Sequence, residues 1–235
     1  VDVGRDDSRA CAKWTSPDDK LTEGDSLKFI AKCSPKNLEQ SLEGVLVSGK
    51  LFADVVEVPS ALFNLGSGLP MLGEKGELIA SLITASEHAL ANPDKVLILF
   101  GHADTSGEFQ LNLDISRDRA EAIQAILDED PDTWVDIAKN RCTVLDVQRM
   151  MNHLNQFAGY PSDTGKEDGI TGPKTEAGVK AFQEEYNSRF DPDIAADGKC
   201  GPQTWKAVFR VLSELFVENW KIEHAEQSMP AIPYG

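Results

Sequence analysis

The sequence contains no apolar run approaching the ~20 residues a bilayer-spanning helix needs, and its opening residues, VDVGRDDSRA, form neither a signal peptide nor a lipid anchor. The chain is therefore expected to be soluble, with any export signal removed or lying outside this sequence. Positive charge is also scarce: 23 Lys and Arg stand against 39 Asp and Glu, a formal net charge of −16. DNA or an anionic lipid surface would be repelled by the summed field, so nucleic acid is not an expected partner. Four cysteines, Cys11, Cys33, Cys142 and Cys200, are scattered without a CxxC pair or a histidine at ligand spacing, so no metal site and no cofactor are expected. Two disulfides, Cys11 with Cys33 and Cys142 with Cys200, fit an oxidising compartment. Four free buried thiols fit as well.

What is present is ordinary globular composition, 41% hydrophobic over 235 residues, enough for one large or two ordinary domains. The stretch around which the rest is arranged runs VLILFGHADTSGEFQLNLDISRDRAEAIQAIL, from Val96 to Leu127. Its uncharged start, Val96 to Phe100, has the length and composition of a buried strand that Gly101 ends. Ser116 then stands where a helix N-cap is expected, and Ala120, Ile123 and Leu127 recur at helical spacing.

The intervening loop resembles the signature of the OmpA-like peptidoglycan-binding domain. The matching positions are Gly101, Asp104, Gly107, Asn112, Ile115, Ser116, Arg119 and Ala120, eight in a span of twenty. The resemblance implies that Asp104 and Arg119 grip the diaminopimelate of a peptidoglycan stem peptide, with Asn112 between them and Thr105 and Gly107 in the same loop. Physical chemistry agrees with that assignment. An arginine one turn inside a helix lies near unpaired N–H groups, and its planar fork holds a carboxylate bidentately, while an aspartate faces an ammonium. The alternative reading is a structural ion pair closing the loop.

Earlier in the chain, Leu27, Phe29, Ala31 and Cys33 alternate with Lys28 and Lys32, and Val45–Val47 and Leu51–Val58 flank Ser48-Gly49, which reads as a β-rich region with a hairpin. A helix is expected from about Gly73 to Ala91, stopped by Asn92-Pro93. Strand, helix, strand, helix is the order the resemblance implies, and it places a further ligand contact at Asn64. Residues 128–141 look helical or irregular where that family continues into a third strand, so either the N-terminal hairpin fills that place in the sheet or the domain is trimmed and its pocket less complete.

Beyond Cys142 the chain carries an internal repeat, DGITGPKT at Asp168–Thr175 and DGKCGPQT at Asp197–Thr204, offset by 29 residues with five of eight positions identical. Each reads as an Asp-Gly turn followed by Gly-Pro at a helix start. Apolar positions Val147, Met151 and Leu154, then Val179, Phe182 and Tyr186, then Trp205, Val208, Leu212 and Leu215 mark three helices. With Phe182-Gln183 and Thr204-Trp205, residues 143–215 resemble the small helical peptidoglycan-binding domain often attached to cell-wall hydrolases. The repeated turns themselves read as structural caps.

The readings combine into an α+β chain: a β-rich N-terminal region (1–50), an OmpA-like βαβα sandwich (51–141), a three-helix peptidoglycan-binding-like domain (142–220) and a C-terminal tail (221–235). No HExxH, GxSxG or Ser-His-Gly-Cys arrangement is present, and His88, His102, His153 and His224 fall in separate elements, so no enzyme is expected. The expected function is non-catalytic binding of peptidoglycan in the periplasm or cell envelope, or after secretion. The alternatives are a structural or adaptor component of an envelope-associated secretion or injection machine, with protein partners there, and the targeting part of a peptidoglycan hydrolase.

Overall fold

A computed structural model describes residues 62–93, 97, 99–103 and 108–224 with their side chains, and the strands 2–6, 9–13, 26–33 and 38–45 as backbone. The chain divides into two units, Val1–Val55 and Val56–Gly235. The first contains two separate antiparallel pairs. In one, β1 (Asp2–Asp6) lies beside β2 (Arg9–Lys13) with Gly4 opposite Cys11; in the other, β3 (Ser26–Cys33) lies beside β4 (Leu38–Val45) with Phe29 opposite Leu42.

The second unit is helical, and it corrects the α+β expectation. The residues described with their side chains are 64% helical and form six helices, with no βαβα sandwich among them. Among the described residues neither N-terminal pair joins a further strand, and past Val45 they hold a single isolated bridge, Phe63 to Pro70. The expected buried strand Val96–Phe100 is not one: Leu97, Leu99 and Phe100 have no regular structure, and Val96 and Ile98 lie outside the described residues. The physical reason is that a strand needs a ladder partner for its backbone groups, and no partner strand is present here among the described residues. Leu97 and Leu99 instead pack against a helical core, while Phe100 is 73% exposed. The expected Leu51–Val58 strand lies outside the described residues.

Helix α1 (Glu77–Ala91) begins at Gly76, whose φ of 76° is a left-handed conformation that glycine adopts without strain, so the helix starts later than its apolar pattern suggests. It buries Leu78, Ile79, Leu82 and Ile83. Helix α2 (Phe109–Leu127) starts well before Ser116, which is therefore interior; its hydroxyl donates to the Asn112 carbonyl one turn back. Helix α3 (Pro131–Arg141) is capped by Asp130, which accepts from the Asp132 and Thr133 N–H groups, and buries Trp134, Val135, Ile137 and Ala138. Arg141 closes α3 on α2 by donating to the buried Asp118 at 2.7 Å.

Three further helices follow: α4 (Val144–Phe157), α5 (Pro173–Arg189) and α6 (Pro202–Glu223). Thr143 and Asp146 form a capping box at the start of α4, satisfying two otherwise unpaired donors reciprocally. The 22 residues of α6 bury Trp205 and Val208 near its start and Leu212, Phe216 and Trp220 further along. Through that length α6 packs on α1, α2 and α3. Trp134 meets Phe209 with ring centroids 5.8 Å apart, and His224, stacked on Trp220, pairs with Glu87 of α1 at 3.1 Å. One apolar core therefore runs from Leu62 to Trp220. No helix among the described residues is long and apolar enough to cross a membrane.

Candidate functional site

The doubled turn is built around two buried glutamines. Gln148 on α4 accepts the Asp168 and Gly169 N–H groups on its side-chain oxygen, while its amide nitrogen lies within 3.2 Å of Asp168 Oδ1, the Ile170 carbonyl and Thr175 Oγ1. Gln183 on α5 accepts the Gly198 N–H and reaches Asp197 Oδ1, the Lys199 carbonyl and Thr204 Oγ1. The two sets correspond turn for turn. Gly169 and Gly198 sit at φ of 73° and 75°, which allows the reversal each glutamine grips. Since Gly172 and Gly201 provide no side-chain cap to α5 and α6, the fixed φ of Pro173 and Pro202 starts those helices and the glutamine ties each start down.

One turn beyond each glutamine stands an asparagine that pairs with loop backbone in both directions. Asn152 accepts the Thr164 N–H and donates to the Gly165 carbonyl; Asn187 accepts the Ile194 N–H and donates to the Ile194 carbonyl. Hydrogen bonding to the Gln148 amide first, then to the Ile170 N–H, lowers the Asp168 carboxyl below its ordinary range. The Lys199 N–H does the same, as the largest cause, for Asp197. These bonds fix the carboxylate form and with it the shape of each turn.

A run of aromatic rings extends the unit. Tyr160, Phe182, Tyr186 and Phe190 follow one another at centroid distances of 5.0, 6.2 and 4.9 Å. An arginine lies over each end: Arg189 is 4.2 Å from the Tyr160 ring and donates to the Ala158 and Gly159 carbonyls, and Arg210 is 4.0 Å from the Phe190 ring. Burial pushes the Tyr160 phenol up to about 12, so it stays a neutral packing partner beneath the guanidinium.

The residues singled out for the OmpA-like loop fall differently. Asp104, Thr105 and Gly107 lie outside the described residues. Arg119 spreads its three nitrogens over three loop carbonyls: Nε to Ser67 at 3.0 Å, one terminal nitrogen to His102 at 2.6 Å and the other to Asn64 at 3.0 Å. Its carbon lies 4.9 Å from the Phe63 ring centre. Asn64 is buried and bridges further, donating to Asp146 at 2.6 Å and accepting from Arg149. The structure thus joins Asn64 to Arg119 and joins both, through Asp146, to the start of α4. Asn112 lies two turns before Arg119 on α2, its N–H donating to the Glu108 carbonyl.

Sequence reasoning missed Gln148, Asn152 and Asn187 altogether, and gave Gln183 no role beyond a family mark. The signal was available: Gln-x-x-x-Asn occurs at 148–152 and 183–187, each upstream of one Asp-Gly turn. The spacing of four puts both amides on one helix face, where they can bind the same returning loop.

No curated protein and no solved structure matches this chain. No OmpA-like domain is detected, and the resemblance read at 101–120 has no counterpart in the family comparison. The unit with the doubled latch is the part that matches a family model: residues 143–208 correspond to the one described as "Putative peptidoglycan binding domain".

Proposed function

We propose that the protein is a non-catalytic binder of peptidoglycan that engages the cell wall through the helical unit spanning α4, α5 and the first half of α6. The observation that carries this reading is the family match at 143–208, which coincides with the two glutamine-latched turns. A domain of this kind is non-catalytic in itself. With this reading goes a location in the periplasm or cell envelope, or outside the cell after secretion. The net charge of −16 makes bulk electrostatic adsorption a poor explanation for retention on a wall, so binding rests on a local surface.

Sedimentation with purified sacculi tests this. The folded full chain is expected in the pellet, and soluble muropeptides are expected to release it. A folded chain that stays in the supernatant at every wall concentration removes the proposal.

The finer proposal is recognition of the diaminopimelate stem peptide by Asp104 and Arg119, with Asn64, Thr105, Gly107 and Asn112 around them. It is supported by the placement of Arg119 at the meeting of the 62–68 and 99–103 segments, with the guanidinium already bonded to the carbonyl of His102, two residues before Asp104. Titration calorimetry with meso-diaminopimelate separates the two levels. Heat of binding that Asp104→Ala abolishes supports the finer reading; sacculus binding without any response to diaminopimelate leaves the helical unit as the sole carrier.

A further inference from the structure

The two latched turns hold the only Asp-Gly bonds in the sequence, Asp168-Gly169 and Asp197-Gly198. At such a bond the following amide nitrogen can reach the aspartate carboxyl carbon, and glycine brings no Cβ to obstruct the ring that would form. Both aspartates are exposed, so burial shields neither carboxyl. The glycines differ. Gly169 is exposed, and a Cβ there would meet nothing within 4 Å; Gly198 is buried, with the Glu176 carbonyl oxygen 2.8 Å from where its Cβ would stand. Packing against α5 therefore restrains the second bond, while at the first the restraint comes from Gln148. Its side-chain oxygen accepts the Asp168 N–H at 3.1 Å and the Gly169 N–H at 2.8 Å. Its amide nitrogen donates at 3.1 Å to Asp168 Oδ1, the same atom that accepts the Ile170 N–H at 3.0 Å.

We propose that Asp168-Gly169 is a self-modification site, an isoaspartate-forming bond that the Gln148 latch keeps closed in the folded chain. The Gly169 nitrogen attacks the Asp168 carboxyl carbon and a C–N bond forms. One carboxyl oxygen leaves as water, taking the amide hydrogen and one proton from the medium, and a cyclic imide remains. Water then opens the ring. Opening at the former side-chain carbonyl restores Asp168; opening at the main-chain carbonyl routes the backbone through Cβ and Cγ as isoaspartate, an isomer of unchanged mass. No oxidant or other co-reactant enters.

Gln148 holds both reacting groups. Ring closure has to break the bond from the Gly169 N–H to Gln148, and it proceeds from the protonated carboxyl, whereas the bonds from Gln148 and Ile170 favour the carboxylate. The product cannot restore the latch, because the added backbone methylene displaces the Gly169 N–H and moves the carboxylate away from its donors. The same glutamine amide also holds the Ile170 carbonyl and Thr175 Oγ1, so rearrangement would release the entry to α5.

The test ages the full chain at near-neutral pH, folded and in guanidinium chloride, and then digests it with trypsin. The two bonds fall in separate peptides, 167–174 and 190–199. Electron-transfer fragmentation reads isoaspartate, and loss of one water reads the imide. In the folded chain Asp168 is expected to rearrange roughly tenfold or more slowly than in guanidinium, yet faster than Asp197. Gln148→Leu should bring the Asp168 rate toward that of the denatured chain while Asp197 stays slow, and Gln183→Leu should leave Asp168 protected. Gln148→Glu keeps an acceptor for the Gly169 N–H and loses the donor to Asp168; an Asp168 rate above wild type is expected there too, which serves if the leucine variant does not fold. Folded wild type rearranging at Asp168 as fast as the denatured chain, Asp197 outpacing Asp168, or a folded Gln148 variant with the wild-type rate overturns the proposal.

Discussion

Asn64 donates its side-chain amide to Asp146 at 2.6 Å across a separation of 82 residues, and both side chains are buried. Asp146 also receives the Thr143 N–H and hydroxyl, so one carboxylate closes the α4 cap and anchors the loop whose Asn64 and Ser67 carbonyls accept from Arg119. Asn64→Ala removes a donor from a buried carboxylate and an acceptor from Arg149, and should lower stability by about 2–3 kcal/mol. Asn64→Asp should cost more, because it sets two carboxylates against each other. Urea unfolding of the two variants checks the order; equal midpoints with wild type would show that the bridge contributes nothing.

Gln183→Leu keeps the size of the side chain but leaves the Gly198 N–H without its buried acceptor and takes from the Lys199 carbonyl one of its donors. A loss of about 2–4 kcal/mol is expected, and Gln148→Leu should behave alike at the first turn. Hydrogen exchange should show the Gly198 amide losing protection in the Gln183 variant while the Gly169 amide keeps it. Simultaneous loss at both turns would mean that the two latches are not separate devices.

His153 predicts the acid side of the stability curve. Desolvation is the largest cause lowering its folded pKa below the 6.5 of the free side chain, assisted by Arg149 and opposed by Glu167, Glu77 and Glu74. Its Nδ1 is buried without a hydrogen-bond partner among the described residues. A folded pKa below the unfolded one means that the unfolded chain binds more protons, so stability falls as pH drops through about 6.5. Between about pH 7 and 5, above the range where most carboxylates titrate, His153→Gln should flatten that fall. Urea midpoints at several pH values measure it, and an unchanged slope would assign the effect to other groups.

Gly101 packs directly on α2: a Cβ there would overlap the Ser116 carbonyl oxygen and lie 3.1 Å from the Ala120 nitrogen. Gly101→Ala should therefore push the 99–103 segment off the helix and break the bond between the His102 carbonyl and Arg119. A lower thermal midpoint and a shifted Arg119 side-chain resonance are expected. An alanine variant with the wild-type midpoint would show that the segment can move aside without loss.

The helical half was legible where local chemistry marks a boundary. Proline at the first position of α5 and α6, Asp-Gly at the preceding turns, and Met151, Leu154, Phe182 and Val208 at helical spacing all lie where the physics of caps and apolar faces places them. The reading failed where two structures share one local pattern. Five apolar residues at 96–100 suit a strand or an irregular segment pressed on a core, and only the presence of a partner strand separates the two. Ser116 is a good cap residue, yet inside a helix its hydroxyl bonds equally well to the carbonyl one turn back. Gln148 and Gln183 are marked in the sequence only by the repeated Gln-x-x-x-Asn spacing, because their partners are largely backbone groups that approach once the loop has closed.

The uninterrupted course of α6 has a mechanical meaning. At about 1.5 Å per residue its 22 residues form a rod of roughly 33 Å, with the 143–208 unit gathered on its first half and α1, α2 and α3 packed against it. If the 143–208 unit holds wall material, tension on it would pass down a single helix into the packing around Phe216 and Trp220. Because α6 is continuous over Pro202–Glu223, a pull on the 143–208 unit should be felt as strain where α1 and α3 pack on that helix.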